Sequence, residues 1–220
     1  MPDTSHIFRN LTPLYLSIEV LADIRNFAQK FYDLWDDLHG WGHIQRVQRR
    51  CQQILSLLPI SEKVNKNILE AAVYLHDIGR NPPKSAHYAS TNHAAISAIL
   101  ASEFLATKKI SEDVISAIIH IIRAHSFSLG EQANTLEAQI LSDADKIDAL
   151  GAVGIFRVCA FQMKHGGNIA AVISHCDKKL LNLDEKLYLP AAREIASLLI
   201  DRIRQFKKQL ELELQLNQTL

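Results

Sequence analysis

Apolar residues at helical spacing run through every long segment of this chain, and no stretch alternates apolar with polar residues as a half-buried strand would. That pattern restricts the fold to helices packed on one another, an all-α chain. Ile18, Leu21, Ala22, Ile24, Phe27, Ala28 and Phe31 trace an amphipathic helix over Ser17 to Leu34, with Ser17 as its N-cap. Ile44, Val47, Cys51, Ile54, Leu55 and Leu58 trace a second, which has His43 in its first turn and stops at Pro59. Ser61, followed by Glu62 and Lys63, is the expected start of a third, which carries Ile68, Ala72 and Leu75 to His76 and Asp77 and is terminated by Gly79. Thr91 or Asn92, then Ser111, then Thr135 are the expected caps of the next three, the last running to Ala149. A segment led in by Gly151 and Gly154 reaches Met163 and is broken by His165, Gly166 and Gly167. Ile169 to Leu181 is helical, and Pro190 opens a long helix toward Leu216. Ile195, Leu198, Leu199, Ile203, Phe206 and Leu210 are its expected buried side.

With 48% hydrophobic residues, 220 residues bury a sizeable core as one domain. Lys plus Arg and Asp plus Glu each number 24, so the formal charge is zero and no overall field favours nucleic acid or an anionic membrane. Neither a signal-peptide pattern nor 18 uninterrupted apolar residues occurs. Cys51, Cys159 and Cys176 are an odd number without the close spacing of a zinc knuckle or redox pair, which fits reduced thiols in a cytoplasmic protein. Leu210, Leu212, Leu214 and Leu216 leave two destinations open for the last helix, its own domain or a homodimer partner.

The run Ala71 to Leu75 ends abruptly in His76 and Asp77, two side chains that are costly to bury without a partner. They can satisfy each other, meet solvent or share a cation. His43 on an earlier helix and Asp145 on a later one would complete a set of two imidazoles and two carboxylates. Mn, Fe, Co, Ni and Mg all accept such mixed donors. Asp145 and Asp148 share a helix face, whereas Asp143 lies about 200° round from Asp145. Asp145 is therefore the expected ligand, and Asp148 the residue that orients a ligand or water. The alternative for Asp145 and Lys146 is a solvated charge run. Ile140, Leu141, Ile147 and Leu150 around them argue for burial with partners.

His39-Gly40-Trp41-Gly42-His43-Ile44-Gln45-Arg46-Val47, Leu75-His76-Asp77-Ile78-Gly79, and Asp143 through Ile155 resemble, in order and spacing, the ligand segments of the HD-domain metal-dependent phosphohydrolases. The last of these segments is similar to that of the small single-domain bacterial members. The resemblance spans about residues 37 to 157; after Gly166 only general helical character matches. It implies a single compact helical HD bundle over 1–220, with a metal-site core at about 17–165 and C-terminal helices at about 168–218. It implies that His43, His76, Asp77 and Asp145 hold one divalent ion with open positions for water and a phosphate oxygen. Hydrolysis would then proceed without a protein nucleophile. The site it implies has Asp77, Asp148 and His125 in catalytic roles. Arg46, Arg80, His93, His120 and Lys146 contact substrate, with Lys84 as a further point charge. Histidines between His76 and Asp145 complete a second metal site in two-metal members. His120 and His125 are about 140° apart round a helix and do not chelate one ion together. For His120 the competing reading is a core imidazole. His39 supports the turn, and His87, His165 and His175 stand as loop or surface residues. The expected substrate is a small phosphorylated molecule, foremost a nucleotide. A di-iron HD-type oxygenase and a catalytically silent nucleotide-binding module are the competing functions.

Overall fold

A computed structural model describes residues 14–34, 36, 38–83, 88 and 92–216. These residues form nine α-helices and no strand: α1 (Ile18–Gln29), α2 (Trp41–Leu57), α3 (Lys66–Leu75), α4 (His93–Ala106), α5 (Glu112–His125), α6 (Leu136–Asp148), α7 (Gly151–Lys164), α8 (Ile169–Lys178) and α9 (Pro190–Leu216). Short 3₁₀ turns join several of them.

Local chemistry sets most boundaries. Side chains of Ser17, Asn92, Ser111 and Thr135 accept from backbone amides one turn inside their helices, satisfying donors that a helix start leaves unpaired. Several ends differ from the sequence reading. The first helix stops at Gln29, because the chain then folds back so that Gly40 N donates to Asp36 O and Trp41 N to Asp33 O. The third starts at Lys66, four residues beyond the position expected from Ser61. Asn65 is its cap, accepting from Ile68 N, and Asn65 is itself tied to Glu137 and to Leu14 O across the fold. The segment after α8 tightens into 3₁₀ turns at Leu180–Asn182 and Asp184–Lys186.

α3 is the central rod. Every residue from Ala71 to Leu75 is buried, as suits a helix that is apolar all round. It packs against α1, α2, α5 and α6, while α2 lies along α6 and α4 lies along α5. α9 closes the other side against α7, α6 and α8, burying Ala192, Ala196, Leu199, Ile200 and Ile203. Leu198 points outward at 67% exposure, because alanines occupy the buried stripe where the sequence reading placed it. The core cluster is continuous from Leu16 to Ile203.

Gly79 serves a purpose other than termination. α3 has already ended at Leu75, and Gly79 lies in the 3₁₀ turn Ile78–Arg80 that docks on α4. A Cβ there would stand 2.3 Å from His93 O and 2.5 Å from Ser97 N, and Gly79 N donates to Ser97 Oγ at 2.8 Å. Only glycine permits this approach.

Candidate metal centre and cavity

The helix ends converge. His43 comes from the first turn of α2, His76 and Asp77 from the end of α3, His93 from the first residue of α4, His125 from the last of α5, and Asp145 from the last turn of α6. His76 Nδ1 lies 2.8 Å from Val73 O, and His125 Nδ1 contacts Ile122 O. A carbonyl only accepts, so both Nδ1 atoms carry the proton. His43 Nδ1 donates likewise to Asp148 Oδ2 at 2.8 Å. In its neutral form each of the three imidazoles therefore turns the lone pair of Nε2 inward.

Those Nε2 atoms and Asp77 Oδ1 are buried and have no hydrogen-bond partner. Unpaired polar atoms cost several kcal/mol each when shut away from water, on the order of 2–7 by transfer measurements. Four gathered about one carboxylate mark a place built for something else. His43 Nε2 is 3.6 Å from Asp77 Oδ2 and 3.4 Å from Asp145 Oδ1, and His76 Nε2 is 3.9 Å from Asp77 Oδ2. Donors about 2.1 Å from one ion stand roughly 3.0–3.4 Å apart, so a small contraction seats a cation. Asp77 Oδ1 faces the other way, 3.3 Å from His93 Nε2 and 3.7 Å from His125 Nε2. Two donor groups, His43–His76–Asp77 and Asp77–His93–His125, thus share one carboxylate. The residues fit a divalent ion in the first group, and the second offers the same chemistry.

Electrostatics agree with the donor set. Burial pushes the His76 imidazole down to about 4, and burial does the same at His93 and His39. Each is neutral, as a ligand must be. Burial would raise the Asp77 carboxyl, but the neighbouring His76, His125 and Arg80 side chains outweigh it and hold Asp77 well below the ordinary range. Asp148, also held low, accepts from Arg46 Nε at 2.8 Å and Nη2 at 3.2 Å, and from Arg157 Nη1 at 2.8 Å.

The centre opens into a cavity of about 530 Å³. Arg80, Lys146, Arg157, Lys179 and Lys186 line it, against one described carboxylate, Asp145. Val158, Phe161, Leu180 and Leu183 make its apolar wall, and Phe127 stands at its rim beneath Lys186 Nζ, 4.6 Å from the ring centre.

Among the substrate contacts expected from sequence, Arg80, His93 and Lys146 line this cavity. Arg80 also pairs with Asp77, and Lys146 Nζ donates to Ser142 O. Arg46 and His120 are not among the described residues that line it. Arg46 grips Asp148, and His120 Nδ1 lies 3.3 Å from Glu131 Oε1. Asp143 accepts from Tyr188 N and Leu189 N, a structural anchor for the start of α9. His175, read from sequence as a loop or surface residue, is on α8 and lines the cavity. His165 is exposed, as expected. Lys84, His87 and Thr91 lie outside the described residues. Sequence reasoning missed Arg157, Lys179 and Lys186. Arg157 lies two residues past Ile155, the last residue of the last motif, and the lysines follow Gly166, where only helical character matched.

A helical bundle whose helix ends gather buried histidines and aspartates round a shared carboxylate is an all-α architecture with a candidate metal centre. The HD domain model matches residues 40–150, and the chain belongs to that family. It is 28% identical over 196 residues to the uncharacterised protein YpgQ of Bacillus subtilis, covering 86% of this chain and 90% of YpgQ. The crystal structure of YpgQ in complex with ADP superposes with a TM-score of 0.67 at 26% identity, covering 88% of this chain and 94% of that one. A Lactobacillus plantarum protein gives 0.72 at 25% identity, covering 91% and 99%. An HD-superfamily hydrolase from Bacillus thuringiensis shares the fold, with a TM-score of 0.67 at 24% identity over 90% and 97% of the two chains. No helix among the described residues is long and apolar enough to cross a membrane.

Proposed function

We propose that this chain is a metal-dependent phosphohydrolase acting on a small phosphorylated molecule, foremost a nucleotide. The observation that carries the reading is the set of orphaned Nε2 atoms beside Asp77, at one end of a cavity rich in cations. His43, His76, Asp77 and Asp145 would hold one divalent ion; Asp77, His93 and His125 would hold a second. An ion held there supplies Lewis-acid charge to a phosphoryl oxygen and makes water a competent nucleophile near neutral pH. The protein's own part is positioning and charge complementarity. Asp148 fixes His43 in the tautomer that presents Nε2. Arg80 and Lys146 bring positive charge to the phosphates, and the apolar wall of Phe161, Val158 and Leu183 suits the flat face of a base. The ADP complex of YpgQ supports a nucleotide for this chain.

The shared Asp77 also suits a dinuclear iron oxygenase, and metal content separates the two. Metal-loaded protein, offered nucleoside mono-, di- and triphosphates with product identification, should release phosphate or pyrophosphate. Asp77→Ala should lose metal and turnover while keeping its helical circular dichroism. Two bound irons with oxygen uptake and no phosphate release would establish the oxygenase instead. Ligand binding without turnover across Mn, Co, Ni and Mg would establish a silent module.

A further inference from the structure

Two arginines hold Asp148, and they come from different helices. Arg46, on α2, places Nε and Nη2 on the carboxylate and is not among the described cavity residues. Arg157, on α7, places only Nη1 on Asp148 and lines the cavity. Its guanidinium makes no other hydrogen bond to a described residue, although its side chain is only 16% exposed. The oxygen it touches, Asp148 Oδ2, is the one that accepts from His43 Nδ1.

α7 delivers Arg157 to this point because the α6–α7 turn is sharp. Gly151 takes φ +66°, a conformation open to glycine at little cost, so α7 starts three residues after Asp148 and doubles back over it. A planar five-donor cation that spends one N–H on a buried carboxylate keeps other donors for an anion in the cavity.

We propose that Arg157 is a substrate-contacting residue that reads a phosphate in the cavity while its Nη1 holds Asp148, and through it His43, in place. Arg46 is the matching positioning residue with no substrate contact. This assignment rests on the phosphohydrolase reading above. It separates two residues that share one carboxylate by their effects on two ligands.

The test uses the full chain, with ADP and Mn²⁺ as probes, by calorimetry, for wild type, Arg157→Gln, Arg157→Lys and Arg46→Gln. Circular dichroism and thermal melts check that each variant is folded. Both glutamine variants should bind Mn²⁺ more weakly. At saturating Mn²⁺, Arg157→Gln should raise the Kd for ADP about tenfold to a hundredfold, the worth of a charge-assisted hydrogen bond. Arg46→Gln should leave that Kd within about threefold, within the scatter expected for a residue that makes no contact. Arg157→Lys should recover most of the ADP affinity, since a point charge still meets phosphate. If Arg157→Gln binds ADP as tightly as Arg46→Gln does, the anion contact is overturned and Arg157 only supports Asp148. If Arg157→Gln does not fold, the lysine variant decides: ADP affinity as weak as that of a charge-free site overturns the proposal. Wild type that binds no ADP at any Mn²⁺ concentration brings down the phosphohydrolase reading and this proposal together. Wild-type binding with an unaffected Arg157→Gln removes only the latter.

Discussion

A buried imidazole can serve as a ligand only if its other nitrogen is committed, and the inward-facing histidines meet that condition by two routes. His76 and His125 donate to carbonyls of their own helix ends, whereas His43 depends on a side chain more than a hundred residues away, Asp148. If the centre holds its ion as proposed, the dependence on Asp148 makes His43 the ligand most open to disruption. Asp148→Asn is expected to lower metal affinity about tenfold to a hundredfold, the usual effect of losing a partner behind a metal ligand. The amide can donate to His43 Nδ1 and so shift the proton to Nε2, which removes the lone pair from the site. It also leaves Arg46 and Arg157 against a neutral group, which for a broken buried ion pair costs about 3–5 kcal/mol. Arg46 is 22% exposed, so water recovers part of that and the lower end of the range applies. Calorimetric Mn²⁺ titration and urea unfolding of the two proteins check both numbers. Unchanged metal affinity in Asp148→Asn would show that His43 does not depend on that contact.

At the scale of elements, the site is an arrangement of helix ends, and small residues set how closely those ends meet. Gly79→Ala places a methyl group against backbone atoms of His93 and Ser97, which cannot move without shifting α4. The substitution is expected to destabilise the fold by about 1–3 kcal/mol, as overpacking does. It should also pull His93 from Asp77 and so weaken the second donor group more than the first. Metal stoichiometry at saturation, set against the midpoint of chemical unfolding, measures both effects. An equal loss of affinity at both donor groups would refute the link between this contact and His93. The sequence carried the helices because burial on one face leaves a period of 3.6, and it carried Ser17, Ser111 and Thr135 because a cap is a local bond. It misplaced the start of α3, because the choice between Ser61 and Asn65 is made by Leu14 and Glu137, contacts no local pattern contains. His43, His76, Asp77 and Asp145 were legible only as spaced candidate donors on separate elements. The division of labour between Arg46 and Arg157 was not, because which arginine faces a cavity depends on how α7 returns across α6. The placement of Gly79 likewise needs both the turn and the helix it meets.

The whole molecule inherits a pH dependence from the way it is built round that centre. α2, α3, α4, α5 and α6 all contribute donors, so no donor can be charged or lost without affecting the packing of several helices. Consider the metal-free protein. Unfolded histidine takes up a proton near 6.5, whereas buried His76 resists protonation until about 4. Between those values the unfolded chain binds more protons than the folded one, so stability rises with pH there and falls as pH drops from 6.5 toward 4. The full difference corresponds to about 3 kcal/mol for His76. His93, partly open to the cavity, adds a smaller contribution of the same sign. Asp77 and Asp148, both held below the ordinary carboxylate range, extend the loss further into acid. A bound divalent ion should stabilise the fold by about 2.7 kcal/mol at a hundredfold excess over its Kd. That benefit should itself shrink with acid, since protons compete for the same Nε2 atoms. Urea unfolding of chelator-treated and Mn²⁺-loaded protein at pH 7.5, 6 and 5 reads both effects. The expected result is a falling midpoint in each series, with the gap between the series narrowing toward pH 5. A metal-free protein more stable at pH 5 than at pH 7.5 would mean that the imidazoles at 76 and 93 are not the neutral, inward-facing donors on which the centre depends.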